Sequence, residues 1–250
     1  MLMSLTTRCA GLSGLPRAGF DANDLWRSYQ ANEAALTTSP ESREVRLRCA
    51  DSLCRWMRVS TDGNTVTIAG PGDSPERRKL WAAHAPRAVE LYRGLLDTRS
   101  STGDPDPAVL SNYLECVSYA SSAKGIALAA LSGDAAVFLS NVGRLQSLCP
   151  AHGNGLPYIF TAAFYLAAPF PVRSAKRALA AARAAVAVGP KSRRNLYYAG
   201  LAALGTKDRA VASSYFAAAL DPSATADSES ERDIAAVFER ESRRGLEACT

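Results

Sequence analysis

Histidine is scarce in this chain, which has 2 in 250 residues, and the common catalytic motifs are missing. The sequence contains no phosphate-binding glycine loop, no H-E-x-x-H zinc motif and no nucleophile elbow. Cys149 and His152 have a C-x-x-H spacing, but a tetrahedral zinc site needs two further ligands. We therefore expect a protein without enzymatic activity, without a bound metal and without a cofactor.

Long apolar runs are also missing, since no segment has the roughly 20 consecutive apolar residues of a membrane-spanning helix. The most apolar stretch, 156–172, is uncharged but contains three prolines, so we interpret it as a buried helix. Residues 1–20 contain no acidic side chain, which is typical of a transit peptide and equally of a flexible terminus. The expected localisation therefore stays open between cytoplasmic or cytoskeletal and mitochondrial.

The composition is that of a folded protein with a mild excess of positive charge. Hydrophobic residues make up 47% of the chain, which suffices for a continuous core, and the net charge is +5. The six cysteines are not spaced as metal ligands. Because a helical fold of this length needs no disulfide, we expect a reducing compartment.

A 34-residue period near the C-terminus is the strongest structural signal. Residues separated by this period are Ala178 and Ala212, Ala182 and Phe216, and Ala185 and Ala219. Small side chains at these positions let two helices pack closely, and helix–turn–helix arrays of the tetratricopeptide kind have this period. We therefore predict an all-α fold, a superhelix of antiparallel helix hairpins in a single domain over 21–250. The best repeats span 159–222, with helices at 173–188, 193–204 and 207–220, and a capping helix covers 230–246.

Two features upstream depart from this period. The segment 65–68 alternates like a strand, but no partner strand is evident, so we expect an ordered loop. The segments 125–131 and 135–148 form a predicted helical hairpin, which ends at Pro150. Pro150 lies 40 residues before Pro190, the corresponding proline of the C-terminal repeats.

The C-terminal part resembles a tetratricopeptide repeat through Leu196, Ala199, Gly200 and Ala203, together with the alanines of the 34-residue period. It departs from the plain repeat in having Leu196 in place of a large aromatic, and in the insertion 169–171. The order of helices over 21–246 resembles the regulator of microtubule dynamics family, and is similar in plan to the T component of bacterial TRAP transporters. The first resemblance implies association with microtubules and mitochondria, and the second implies binding of a small ligand.

The candidate binding site lies in the basic part of the repeats. Between 173 and 219 the basic residues are Arg173, Lys176, Arg177, Arg183, Lys191, Arg193, Arg194, Lys207 and Arg209, and the only acidic residue is Asp208. In a tetratricopeptide array, Arg194, Tyr197, Leu201 and Phe160 would face the concave groove. A guanidinium beside a phenol over an apolar floor suits a protein partner with an acidic, hydrophobic segment, or else these charges only keep the surface soluble. We expect no nucleic acid partner, since few aromatic residues could stack on bases, and only indirect contact with membranes.

Three functions are compatible with this sequence. The leading hypothesis is a non-enzymatic adaptor or scaffold, which binds a protein partner or serves as an accessory subunit of a larger assembly. The second is a structural subunit of a microtubule-associated or organellar membrane complex. The third is a small-ligand-binding protein, in which the aromatic segment 158–170 lines a pocket. The sequence leaves the oligomeric state open.

Overall fold

The computed structural model describes residues 21–97, 104–125 and 133–250, and its regular structure is almost entirely helical. The predicted terminal segment 1–20 lies outside these ranges, as does the predicted helix 125–131 apart from Gly125. The helices are α1 (Ala22–Thr38), α2 (Arg43–Thr61), α3 (Pro75–Asp97), α4 (Pro107–Lys124), α5 (Asp134–Leu148), α6 (Leu156–Ala167), α7 (Ala175–Val188), α8 (Arg193–Gly205), α9 (Arg209–Leu220), α10 (Glu229–Asp233) and α11 (Ala235–Cys249). The predicted all-α class is confirmed, and none of the described helices is long and apolar enough to cross a membrane.

The three helices of the 34-residue repeats form where the sequence predicts them. Ser174, Ser192 and Asp208 lie at the N-caps of α7, α8 and α9, and each side chain accepts a hydrogen bond from a backbone N–H of the first turn. Such caps satisfy donors that have no partner within the helix. The start of each repeat helix is therefore specified by residues that are close to it in sequence.

Helices that are neighbours in sequence pack against each other along the described chain, as in an array of hairpins. The alanines of the 34-residue period lie at these contacts and are completely buried: Ala178, Ala182, Ala185, Ala212 and Ala219. Side chains of this size let helix axes approach closely, which explains why the period is occupied by alanine. The repeat pattern thus determines how α7, α8 and α9 stack.

Phe216 of α9 is the large side chain against which α8 and α11 pack. Its ring is fully buried between Gly200 of α8 and Gly245 of α11. A Cβ atom added at Gly200 would lie 2.7 Å from the ring, and one added at Gly245 would lie 2.5 Å from it. Glycine is therefore required on both sides of the ring by steric contact.

The array does not stay open, because its C-terminal part returns to α2. The Asp233 carboxylate accepts hydrogen bonds from Nη2 of Arg55 and from Nη1 of Arg58, both at 2.8 Å. Arg58 also donates through Nε and Nη2 to Glu115 of α4, at 2.8 and 2.7 Å. The Arg58 and Asp233 side chains are only 4% and 5% exposed. A buried ion-pair network therefore joins α2, α4 and α10.

The segment predicted as an unpaired loop forms a short β-hairpin. Strands β1 (Val66–Thr67) and β2 (Gly70–Pro71) pair antiparallel, so the expectation of no partner strand is wrong. The hairpin is held by long-range bonds: Val66 accepts from the Tyr197 hydroxyl at 2.7 Å, and Ile68 N–H donates to Glu241 at 3.3 Å. These contacts give two residues of strand the support that an isolated hairpin lacks.

The predicted capping helix 230–246 consists of two helices, α10 and α11, which meet at Ile234. Ser228 begins α10 with a capping box, in which its side chain and the Glu231 side chain bond each other's backbone N–H. The segment is also less peripheral than expected, since Glu231, Glu241 and Ser242 are all buried.

The cysteines differ from the expectation at one position. Cys49, Cys54, Cys116 and Cys249 are free thiols, and the first three are buried. Cys149, however, is disulfide-bonded. The expectation that a fold of this length uses no disulfide is therefore wrong at Cys149.

Substituting alanine for Gly245 is expected to destabilise the fold, because the new methyl group would overlap the enclosed Phe216 ring. Overpacking of this kind costs about 1–3 kcal/mol in the free energy of unfolding. Urea unfolding followed by circular dichroism measures this loss.

Gly143→Ala in α5 is the matched control, since a Cβ there meets no atom within 4 Å. Alanine is about 1 kcal/mol more favourable than glycine inside a helix, so this variant is expected to be as stable as the wild type or more stable. Equal destabilisation by both substitutions would contradict the steric role of Gly245.

Asp233→Asn is expected to lower the free energy of unfolding by about 3 kcal/mol, because buried arginines lose a charged partner. Asp24→Asn, which breaks the exposed pair with Arg27, provides the comparison and is expected to cost about 1 kcal/mol or less. If the two variants unfold at the same urea concentration, the closure does not depend on Asp233.

Candidate functional site: a half-enclosed apolar cavity

One face of α6 lines a half-enclosed cavity of about 270 Å³. The lining side chains of this helix are Leu156, Ile159, Phe160, Ala163, Phe164 and Ala167. They are spaced by three or four residues, so they form a single stripe along the helix. Helix α6 also contacts α7, and Ile159 of the stripe belongs to the same core as the alanines of α7.

The other walls come from parts of the chain that are distant in sequence. Helix α5 contributes Phe138, whose ring lies 6.0 Å from that of Phe160 and 6.2 Å from that of Phe164. Val66 of the hairpin and Phe238 of α11 cover further parts of the wall. Closure of the array by α10 and α11 thus converts a concave face into a cavity.

Arg58 and Glu115 are charged residues of the lining that satisfy each other. Arg58 donates two hydrogen bonds to the Glu115 carboxylate, and Nη1 of the same guanidinium donates to Asp233. These groups have little hydrogen-bonding capacity left for a ligand. They contribute a polar but already paired edge to the wall.

Arg194 is a charged lining residue with unused hydrogen-bonding capacity. Its side chain is 5% exposed, and Nη2 donates to the Gly153 carbonyl at 2.6 Å. Nη1, in contrast, is buried and finds no hydrogen-bond partner among the described residues. Burial lowers the pKa of Arg194 from its ordinary value, and the neighbouring Glu231 opposes this effect.

Tyr198 follows Arg194 by four positions on α8, and it also lines the cavity. Residues four apart share one face of a helix, so the two side chains are neighbours. The Tyr198 hydroxyl accepts a long hydrogen bond of 3.4 Å from the Val66 N–H, and no described residue accepts a hydrogen bond from it. Burial raises the pKa of Tyr198 to about 12, although Val66 and Arg194 act in the opposite direction.

The predicted groove residues are divided between the cavity and the core. Phe160 and Arg194 line the cavity, whereas Tyr197 and Leu201 do not. Tyr197 is fully buried and its hydroxyl bonds Val66, and Leu201 is 7% exposed within the same core. The prediction of one groove formed by all four residues is therefore wrong for Tyr197 and Leu201, and Tyr198 supplies the phenol beside Arg194.

Neither histidine lines this cavity. His84 packs against the rings of Trp26 and Trp56, at 5.3 and 4.9 Å between ring centroids, and burial lowers its pKa. Burial also lowers the pKa of His152, against the effect of Asp106. Over the part of the chain that the structure describes, no three histidine, cysteine, aspartate or glutamate side chains are placed to hold a metal.

Comparison with known families and curated proteins adds nothing to these observations. No protein-family model matches the chain, and no curated protein shows significant similarity. The resemblances to tetratricopeptide repeats, to the regulator of microtubule dynamics family and to the transporter T component therefore stay predictions, and the fold and the cavity carry the functional argument.

Proposed function

We propose that this protein binds a small apolar molecule in the cavity beside α6. The observation that supports this function is the apolar and aromatic stripe of α6, which, among the described residues, borders the cavity together with Phe138 of α5. Leaving such a surface in contact with water costs about 25 cal/mol per Å² relative to covering it with an apolar group. A ligand that fills the cavity therefore gains affinity from burial alone.

The size of the cavity supports a small ligand in preference to a peptide. Small-molecule sites are commonly pockets of about 300–1,000 Å³ with mostly apolar walls and a few polar groups. The cavity volume of about 270 Å³ lies just below that range. A helical or extended peptide segment would need a longer open groove than the closed array provides.

Ala163→Phe tests this function, because the larger side chain would occupy the middle of the lining stripe. We expect the dissociation constant of the neutral fluorescent probe N-phenyl-1-naphthylamine to rise at least tenfold, which corresponds to about 1.4 kcal/mol. Fluorescence titration measures the constant directly.

Ala187→Phe is the control, since Ala187 is exposed on α7 and does not line the cavity. It is expected to bind the probe as the wild type does. Equal binding by the wild type and by Ala163→Phe would contradict the cavity as the binding site, and a wild type without saturable binding would contradict the proposed function.

We also propose an adaptor function, as the second candidate, on the basis of one exposed apolar segment. Phe170 is 93% exposed, and Val172 is 44% exposed. Pro169 and Val172, on either side of it in sequence, line the cavity. A large exposed aromatic beside a binding cavity suits contact with a partner protein that delivers or receives the ligand.

A photo-crosslinking amino acid at position 170 is expected to capture such a partner in native extracts. The same amino acid at Val188, which is 37% exposed on α7, serves as the comparison. A specific adduct at 170 and none at 188 supports the adaptor function. The same set of adducts from both positions would contradict a partner surface at Phe170. The microtubule and organellar hypotheses stay predictions, because no geometry in the described residues favours them.

A further inference from the structure

We infer that the ligand of the cavity is an apolar carboxylate, whose carboxyl oxygens accept hydrogen bonds from Arg194 and Tyr198. This inference rests on the proposed function and specifies the chemistry of the ligand. Its basis is a pair of unused donors, Nη1 of Arg194 and the Tyr198 hydroxyl, in a lining that is mostly apolar and that also contains Arg58, Glu115 and Asp134.

The first donor is Nη1 of Arg194, which has no partner among the described residues although the whole side chain is buried. Leaving a buried donor unbonded is costly, and charged donors are the most costly of all. An oxygen atom of a ligand in the cavity would satisfy it. Arg194 is thus a polar group that the folded chain leaves incomplete.

The second donor is the hydroxyl hydrogen of Tyr198. Tyr198 and Arg194 are successive residues of one face of α8, and the charge of Arg194 affects the ionisation of Tyr198. The Arg194 guanidinium has donors only, and the Tyr198 hydroxyl, which accepts from Val66, still has its hydrogen to donate. Such a pair matches a group that only accepts hydrogen bonds, and a carboxylate with two oxygens is the group of this kind that also carries the complementary charge.

Glu231 does not take the place of the ligand, although it lies close to Arg194. Its carboxylate forms a buried ion pair with Nη2 of Arg194 at 3.6 Å, which is beyond the length of a hydrogen bond. The oxygens of Glu231 accept hydrogen bonds instead from the Ser192 hydroxyl, from the Asn154 amide, and from the backbone and side chain of Ser228. Glu231 therefore holds the start of α10 and leaves Nη1 of Arg194 unpaired.

Three ligands with the same chain and different end groups test the inference on the wild-type protein. Decanoate, decanol and decylammonium compete with N-phenyl-1-naphthylamine in a displacement titration. Decanoate is expected to bind at least tenfold more tightly than decanol, which corresponds to one hydrogen bond to a charged group, and decylammonium is expected to bind most weakly. Equal affinity for decanoate and decanol, or tighter binding of decylammonium, would overturn the inference.

Tyr198→Phe tests the same inference on the protein side, because it removes the hydroxyl and keeps the ring. We expect about a tenfold loss in affinity for decanoate, and no change for decanol or for the neutral probe. Tyr165→Phe on α6 is the control, since the Tyr165 hydroxyl bonds Arg177 and does not line the cavity. If Tyr198→Phe prefers decanoate as strongly as the wild type does, the Tyr198 hydroxyl does not bind the carboxylate.

Arg194→Met is the more severe variant, and it is expected to abolish the preference for decanoate over decanol. Should this variant fail to fold, the wild-type series and Tyr198→Phe still decide the matter. Wild-type protein that binds the neutral probe without preferring decanoate would contradict the carboxylate alone. Failure to bind the neutral probe and all three decyl compounds would contradict the proposed function itself.

Discussion

The carboxylate of Asp233 is the contact on which the closed form of this protein depends. It lies 178 positions from Arg55 in sequence and bonds two arginines of α2, one of which also holds Glu115 of α4. Buried charges of this kind are tolerated only when each has its partners, because an unpaired charge in the interior is expensive. The network is therefore a strong positional constraint: α2, α4 and α10 can be together only in the arrangement that pairs all of these groups.

The cavity follows from this closure. Hairpin arrays usually present a concave surface to solvent, and the apolar stripe of α6 would be such a surface in an open array. Because α10 and α11 return to α2, and the 66–71 hairpin bonds α8 and α11, the same stripe becomes the wall of a partly closed space. An open array would suit an extended partner. The closed array suits a compact molecule. The observed geometry therefore favours ligand binding over protein docking as the proposed function.

The sequence predicts the local part of this structure well. Alanine at a 34-residue period, with N-caps at Ser174, Ser192 and Asp208, is sufficient to locate α7, α8 and α9, since caps and small contact residues act within one or two helices. The lining stripe of α6 was also visible as an apolar helix. Closure decides which face of α6 lines the cavity, and closure could not be predicted from the sequence.

The contacts between residues distant in sequence could not be predicted, and the reasons are physical. Tyr197 and Tyr198 follow Arg194 by three and four positions, and both spacings place side chains on neighbouring parts of a helix surface. Both tyrosines are buried and both bond Val66, and only the position of the 66–71 hairpin decides that Tyr198 and not Tyr197 lines the cavity. In the same way, Gly70 and Pro71 are poor strand residues, so their pairing with Val66 and Thr67 depends on tertiary support.

The bond between Tyr197 and Val66 has a consequence for how the protein is made. The two residues are 131 positions apart, so the part of the cavity wall that they hold can form only after residue 197 has been synthesised. Contacts of such sequence separation form late, because the entropy of closing a long loop must be overcome first. Nascent or C-terminally truncated chains can thus possess their helix pairs and still lack the site. A ligand of the kind proposed, if present during synthesis, would favour chains in which this bond has formed.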